Sequence, residues 1–208
     1  MNRIALCLLA FAVSASAAPW EFATRKQGRR VAFVALRGTG PGGACDATLV
    51  FSRLAEAGRK PVTKDDATTP PLVIELWLTN AKQATPFKLT DFEGPDATDG
   101  IATMVLTAKE KPKTSKWPTS GWFSPLRDPT GGSDKHRDAG EAEVFVFGLG
   151  DSFAGYRDLL ALADALAAGA DAFTIDIAGR AKGAPRLRFD VPLAGASDAL
   201  KQLLAPRK

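Results

Sequence analysis

The chain has 208 residues, 45% of them hydrophobic and 24% charged, with a formal net charge of +4 at pH 7. This is a globular composition, long enough to bury a core without disulfide staples, and the charge excess is too small to mark a nucleic-acid binder. One histidine and two cysteines leave too few ligands for a zinc site of conventional spacing.

The N-terminal stretch reads MNRIALCLLAFAVSASAAPW. Arg3 precedes an apolar run from Ile4 to Val13, and Ala15-Ser16-Ala17 matches an A-x-A cleavage pattern. Residues 1–17 are therefore predicted to be a secretory signal peptide, too short and too weakly flanked for a membrane span. Cys7 sits in the apolar run without a lipobox, and no later segment has the roughly 18 uninterrupted apolar residues of a spanning helix. The expected product is residues 18–208, a single β-rich domain, periplasmic or secreted, whose one cysteine is Cys45. A lone cysteine in an oxidising compartment is either buried and inert or bridges chains. Cys45 shares its parity with Ala47, Leu49 and Phe51, which favours burial.

Most of the mature chain reads as strands. Val31–Leu36 is a short apolar run, and Cys45, Ala47, Leu49 and Phe51 alternate with more polar neighbours, the period of a half-buried strand. Between them RGTGPGGAC is glycine-rich, but it leads into a strand pattern rather than a helix, so it predicts a hairpin turn and not a dinucleotide loop. Leu72, Ile74, Leu76 and Leu78 alternate in the same way, and Ile101–Ala108 and Val144–Phe147 are apolar or β-branched. Phe173–Ile177 and Leu187–Val191 flank GRAKGAP as a second hairpin. Two helices stand out, Ser152–Ala168 with Gly169 at its C-terminal cap, and the short Ser197–Leu204. Many strands, two late helices and no βαβ alternation predict a mainly β fold, an antiparallel β-sandwich with one longer and one short α-helix near the C-terminus.

Residues 109–142 interrupt this pattern and are expected to form a long polar loop. A loop of that length in a compact domain is usually functional or disordered. Its first part holds Lys109, Lys111, Lys113 and Lys116, then Trp117, Trp122 and Phe123. Lysines attract anionic groups and tryptophan faces stack on sugars or apolar partners. Lys113, Lys116, Trp117, Trp122 and Phe123 are the candidate binding residues, and an anionic glycan or an envelope protein is the candidate partner. The plainer reading is a solvated loop whose tryptophans pack back on the sheet.

FGLGDSFAGY, residues 147–156, resembles the serine motif of the GDSL-type esterases, with Ser152 in the nucleophile's place. A serine hydroxyl needs a base, normally histidine. That family carries its histidine near the C-terminus, whereas the single histidine here, His136, precedes Ser152. Asp151 or Ser152 as a helix N-cap accounts for the motif better. A periplasmic serine esterase using Ser152 is the alternative reading, and no catalytic residue is assigned. Asp91, Glu93, Asp96 and Asp99 make an acidic stretch that matches no EF-hand spacing, so no metal or cofactor is expected.

The C-terminal stretch LLALADALAAGADAFTIDIAGRAKGAPRLRFDVPLAGASDALKQLL has the layout helix, strand, polar turn, strand and closing helix. It resembles exported bacterial proteins of the invasion-associated locus B type, and Trp20 and the Cys45-Asp46-Ala47 strand start are compatible with it. Those proteins usually carry more cysteines. The resemblance implies a periplasmic β-rich protein of accessory function and brings no catalytic residues. The resulting expectation is an exported, non-enzymatic protein that acts by binding an envelope component or partner protein.

Overall fold

The computed structural model describes residues 19–25, 28–40, 42–53, 72–78, 100–124, 128, 130, 144–149, 156–179, 183 and 186–206. The predicted signal peptide, Asp151 and Ser152, His136 and the acidic stretch at 91–99 lie outside the described residues. Nine strands form one antiparallel sheet: β1 (Glu21–Thr24), β2 (Arg30–Gly40), β3 (Gly43–Arg53), β4 (Leu72–Leu78), β5 (Gly100–Ala108), β6 (Lys111–Ser124), β7 (Val144–Leu149), β8 (Ala172–Gly179) and β9 (Arg186–Asp190). The helices are α1 (Tyr156–Ala167) and α2 (Ala196–Leu204).

The spatial order is β1-β2-β3-β4-β7-β6-β5-β8-β9, and β9 also pairs with β2. The sheet therefore curls until its last strand returns to the second. At this seam Gly38 faces Phe189 and Thr39 faces Arg188, while β1 occupies the other end of the same β2 edge, from Arg30 to Phe33. The antiparallel β fold with two late helices is as the sequence predicts. Its layering is one curled sheet wrapped on its helices, in place of two facing sheets.

Strand alternation explains the wrapping. Ala32, Val34 and Leu36 of β2, Leu49 and Phe51 of β3, Leu76 of β4, Met104 of β5, Phe147 of β7, Ile175 of β8 and Phe189 of β9 are buried in one cluster. Leu159, Leu162, Ala163 and Leu166 of α1 and Ala199, Leu200 and Leu203 of α2 belong to the same cluster. Both helices thus fill the concave face and supply the apolar surface that one curved sheet lacks. On the opposite face Val31, Val50, Trp77, Val144 and Val146 form a smaller buried cluster.

The helix ends are held by polar contacts. Gly169, at φ 95°, takes the left-handed conformation after α1, as its predicted cap requires. Ser197 Oγ donates to the Ala167 carbonyl at 2.6 Å and ties the start of α2 to the end of α1. At the other end of α2, Arg30 donates to the Ala205 carbonyl at 2.6 Å and Arg53 to the Leu204 carbonyl at 3.1 Å. Cations suit this negative end of the helix dipole.

The expected 109–142 loop is corrected by β6. Lys111 to Ser124 is a strand that pairs with β5 from Lys111 to Thr119 and with β7 from Thr119 to Ser124. Lys109 and Glu110 make the β5–β6 turn with φ of 51° and 62°, the left-handed pair of a mirror-image hairpin turn. Glycine or asparagine usually marks such a turn, and neither is present. Two prolines also argue against a strand. Pro112 and Pro118 lie opposite Thr107 and Ile101 of β5, in the half of β6 that is not paired with β7. A missing N–H is tolerated on an edge of that kind. Of residues 125–142, Asp128 and Thr130 are described: Thr130 is buried, donates to Asp128 at 2.7 Å and accepts from Arg25 at 2.8 Å.

Candidate binding cleft between the β5–β6 hairpin and the first helix

The concave face of the β5–β6 hairpin does not meet α1 completely. Between them lies a cleft of about 310 Å³, lined by Met104, Leu106, Lys113, Ser115, Lys116, Trp117, Ala161, Leu162 and Ala165. The register explains the sheet wall. Met104 is opposite Ser115 and Leu106 opposite Lys113, and Trp117 lies across from the small Ala102. On α1 the residues facing the gap are Ala161, Leu162 and Ala165. Leu159 and Leu166 are fully packed into the core elsewhere along the same helix, at 2% and 1% exposure. The cleft opens beside Ala161 and Ala165, the two small residues of the helix wall, with Leu162 between them.

The cleft is lined by buried apolar side chains on its inner side and by polar and basic ones at its rim. Met104, Leu106, Trp117 and Leu162 are buried, and Lys113 and Lys116 are exposed. Among the described residues, neither lysine takes part in an ion pair. Lysines and prolines on a half-paired strand also guard it against pairing with other chains. That accounts for the exposed edge of β6 and leaves the cavity behind it unexplained.

The structure brings together Lys113, Lys116 and Trp117 of the predicted binding residues and separates Trp122. The parity of β6 decides this. Trp117 shares the inner face with Lys113, whereas Trp122, opposite Val146 of β7, projects from the outer face and is 41% exposed. Lys116, of Trp122's parity, contributes at the rim. Phe123 pairs with Phe145 through the backbone, and its side chain is outside the described set. Met104, Leu106, Ser115, Ala161, Leu162 and Ala165 were not signalled as site residues. Their periodicity marks an inward face but does not tell a filled interior from a hollow one.

Cys45 is 3% exposed, on the inner face of β3 opposite Gly38. Burial, and next the negative charge of Asp46, push its thiol up from 9.0 to about 11. The expected burial of Cys45 is observed, and the raised thiol disfavours its reactive thiolate form. In native protein at pH 8, an aromatic disulfide reagent is expected to react with Cys45 far more slowly than after unfolding in urea; equal rates would contradict burial. The sign of the linked pH effect follows. The unfolded thiol loses its proton near 9 and the folded one near 11, so stability is full below pH 9 and declines as pH rises from 9 to 11. Cys45→Ala should remove this part of the alkaline decline in urea titrations.

Among the described residues there is no group of three or more His, Cys, Asp or Glu that could hold a metal, and no helix is long and apolar enough to cross a membrane. The fold and cleft together define a curled antiparallel sheet with a helix-covered, lysine-rimmed hollow. In comparisons with known proteins, no family model, no curated protein and no solved structure matches the chain.

Proposed function

We propose that this is an exported, non-enzymatic accessory protein of the bacterial envelope that works by binding an envelope component in the cleft between α1 and the β5–β6 hairpin. The observation that carries this reading is the cleft itself: a hollow of about 310 Å³ with mixed apolar and polar walls, within the size range of small-molecule sites, with Lys113, Lys116 and Trp117 lining it. The N-terminal signal-peptide pattern and the C-terminal resemblance to envelope proteins support the same reading.

The test uses the full gene with a C-terminal affinity tag, expressed for export. The mature protein is crosslinked in native envelopes, recovered, and analysed for bound lipids, glycans and proteins. Ala165→Trp, which fills the cleft from the helix side, serves as the comparison. A component recovered with the native protein and lost in Ala165→Trp is the expected result. Identical recoveries from the two would remove the cleft as the site.

A further inference from the structure

We infer that the cleft takes an anionic amphiphile with a single alkyl chain, its headgroup against Lys113 and Lys116 and its chain over Met104, Leu106, Trp117 and Leu162. This rests on the binding reading above and adds the ligand's chemical class. The walls and rim have different requirements, and one ligand must satisfy both. Met104, Leu106, Trp117, Ala161, Leu162 and Ala165 offer no charged or hydrogen-bonding side-chain group beyond the Trp117 indole N–H. A sugar or a peptide backbone laid against these side chains would leave polar groups without partners, at a cost that disfavours it there. An alkyl chain has no such groups.

The rim selects the other end of the ligand. Lys113 and Lys116 stand on the β6 side, with the Ser115 hydroxyl between them in sequence. Among the described residues no carboxylate pairs with either lysine, so a carboxylate or phosphate headgroup would meet uncompensated positive charge, which favours an anion over a cation. The volume sets the chain length. A methylene takes close to the ~30 Å³ share of a water molecule, so a cleft of about 310 Å³ holds one chain of about ten carbons. A second chain would lie outside that volume. The exposed lysines place the headgroup at the solvent, so the ligand can enter chain first.

The experiment is calorimetric titration of the mature protein with sodium decanoate, octanoate and hexanoate, and with decyltrimethylammonium, each below its micelle concentration. The expected result is one saturable decanoate per chain, with affinity falling roughly fourfold for each methylene removed. Lys113→Glu, an exposed substitution that leaves the core intact, should weaken decanoate about tenfold or more and spare decyltrimethylammonium. Ala165→Trp should abolish both, its fold checked by circular dichroism; Ala161→Trp, on the exposed side of α1 at the mouth, replaces it if the fold is lost. Absence of saturable decanoate binding, or equal affinity for the two headgroups unchanged by Lys113→Glu, overturns the ligand class. If decanoate fails while envelope capture remains sensitive to Ala165→Trp, the amphiphile assignment falls and the cleft stands. If capture is insensitive to Ala165→Trp, the binding reading falls as well.

Discussion

Trp20→Ala is expected to destabilise the protein by about 4 kcal/mol, the range for truncating a large buried aromatic. Trp20 is 5% exposed and belongs to the main core cluster. Its ring lies 5.4 Å from that of Phe51. The indole N–H donates to the Pro192 carbonyl at 2.7 Å, and the Trp20 backbone N–H donates to the Ala194 carbonyl at 2.8 Å. One residue thus ties the segment before β1 to the segment that leads into α2. Truncation removes apolar burial, leaves a cavity beside Phe51 and takes the donor from Pro192. Trp20→Phe keeps a six-membered aromatic ring but loses the donor and the rest of the indole, so it should cost about 1–2 kcal/mol. Urea unfolding followed by circular dichroism separates the two, as midpoint shifts at unchanged slope. A Trp20→Ala midpoint within error of the native one would show that the N-terminal segment does not contribute to the folded core.

Gly38→Ala comes second, at about 3 kcal/mol, the upper range for overpacking. The expected loss in melting temperature is about 10 °C for a chain of this size. Gly38 sits where β9 returns to β2. A Cβ there would collide with the Arg188 carbonyl oxygen and with Cδ1 and Cε1 of the Phe189 ring. The carbonyl is backbone and cannot rotate aside. The ring is fully buried, so it can move only by disturbing its neighbours. The strain is released by separating β9 from β2, whose pairing is the two-residue ladder of Gly38 with Phe189 and Thr39 with Arg188. Hydrogen exchange should therefore accelerate first in β9. Gly43→Ala is the control. Gly43 has φ 102° and open space around its Cβ position, so its substitution carries conformational strain alone, about 1 kcal/mol. A larger loss at Gly43 than at Gly38 would show that the seam is not where the fold is tight.

The parts of the fold that were legible in the sequence are those where one strand or helix carries its own pattern. The alternation of Cys45 to Phe51 and of Leu72 to Leu78 marks β3 and β4 because each buries one face in the concave core. The glycines between β2 and β3 mark their hairpin, which closes with Gly40 opposite Gly43. β1 was not legible, because Glu21–Thr24 is too short to show a period. β6 was obscured for a chemical reason. Its turn uses Lys109 and Glu110 in left-handed conformations, and Pro112 and Pro118 read as loop signals although the half-paired edge tolerates them.

The candidate site divides in the same way. Local sequence marked Lys113, Lys116 and Trp117 through the clustering of lysine and tryptophan. It could not separate them from Trp122, because only a strand assignment for β6 puts Trp117 and Trp122 on opposite faces. Met104 and Leu106 meet Ala161, Leu162 and Ala165 across more than fifty residues of intervening chain. No local pattern records that meeting.

What the sequence by itself determined is the mainly β composition, most strands and both helices, and the inward parity of Cys45, because hydrophobic period and turn chemistry act over a few neighbouring residues. Only the tertiary structure decided that the sheet curls back on itself at Gly38, that β6 lies within it, and that α1 leaves a hollow over Met104 and Leu106. Those features depend on how distant surfaces fit together, and the fit is set by the volumes of residues such as Gly38, Ala161 and Ala165 at contacts that form only once the chain has folded.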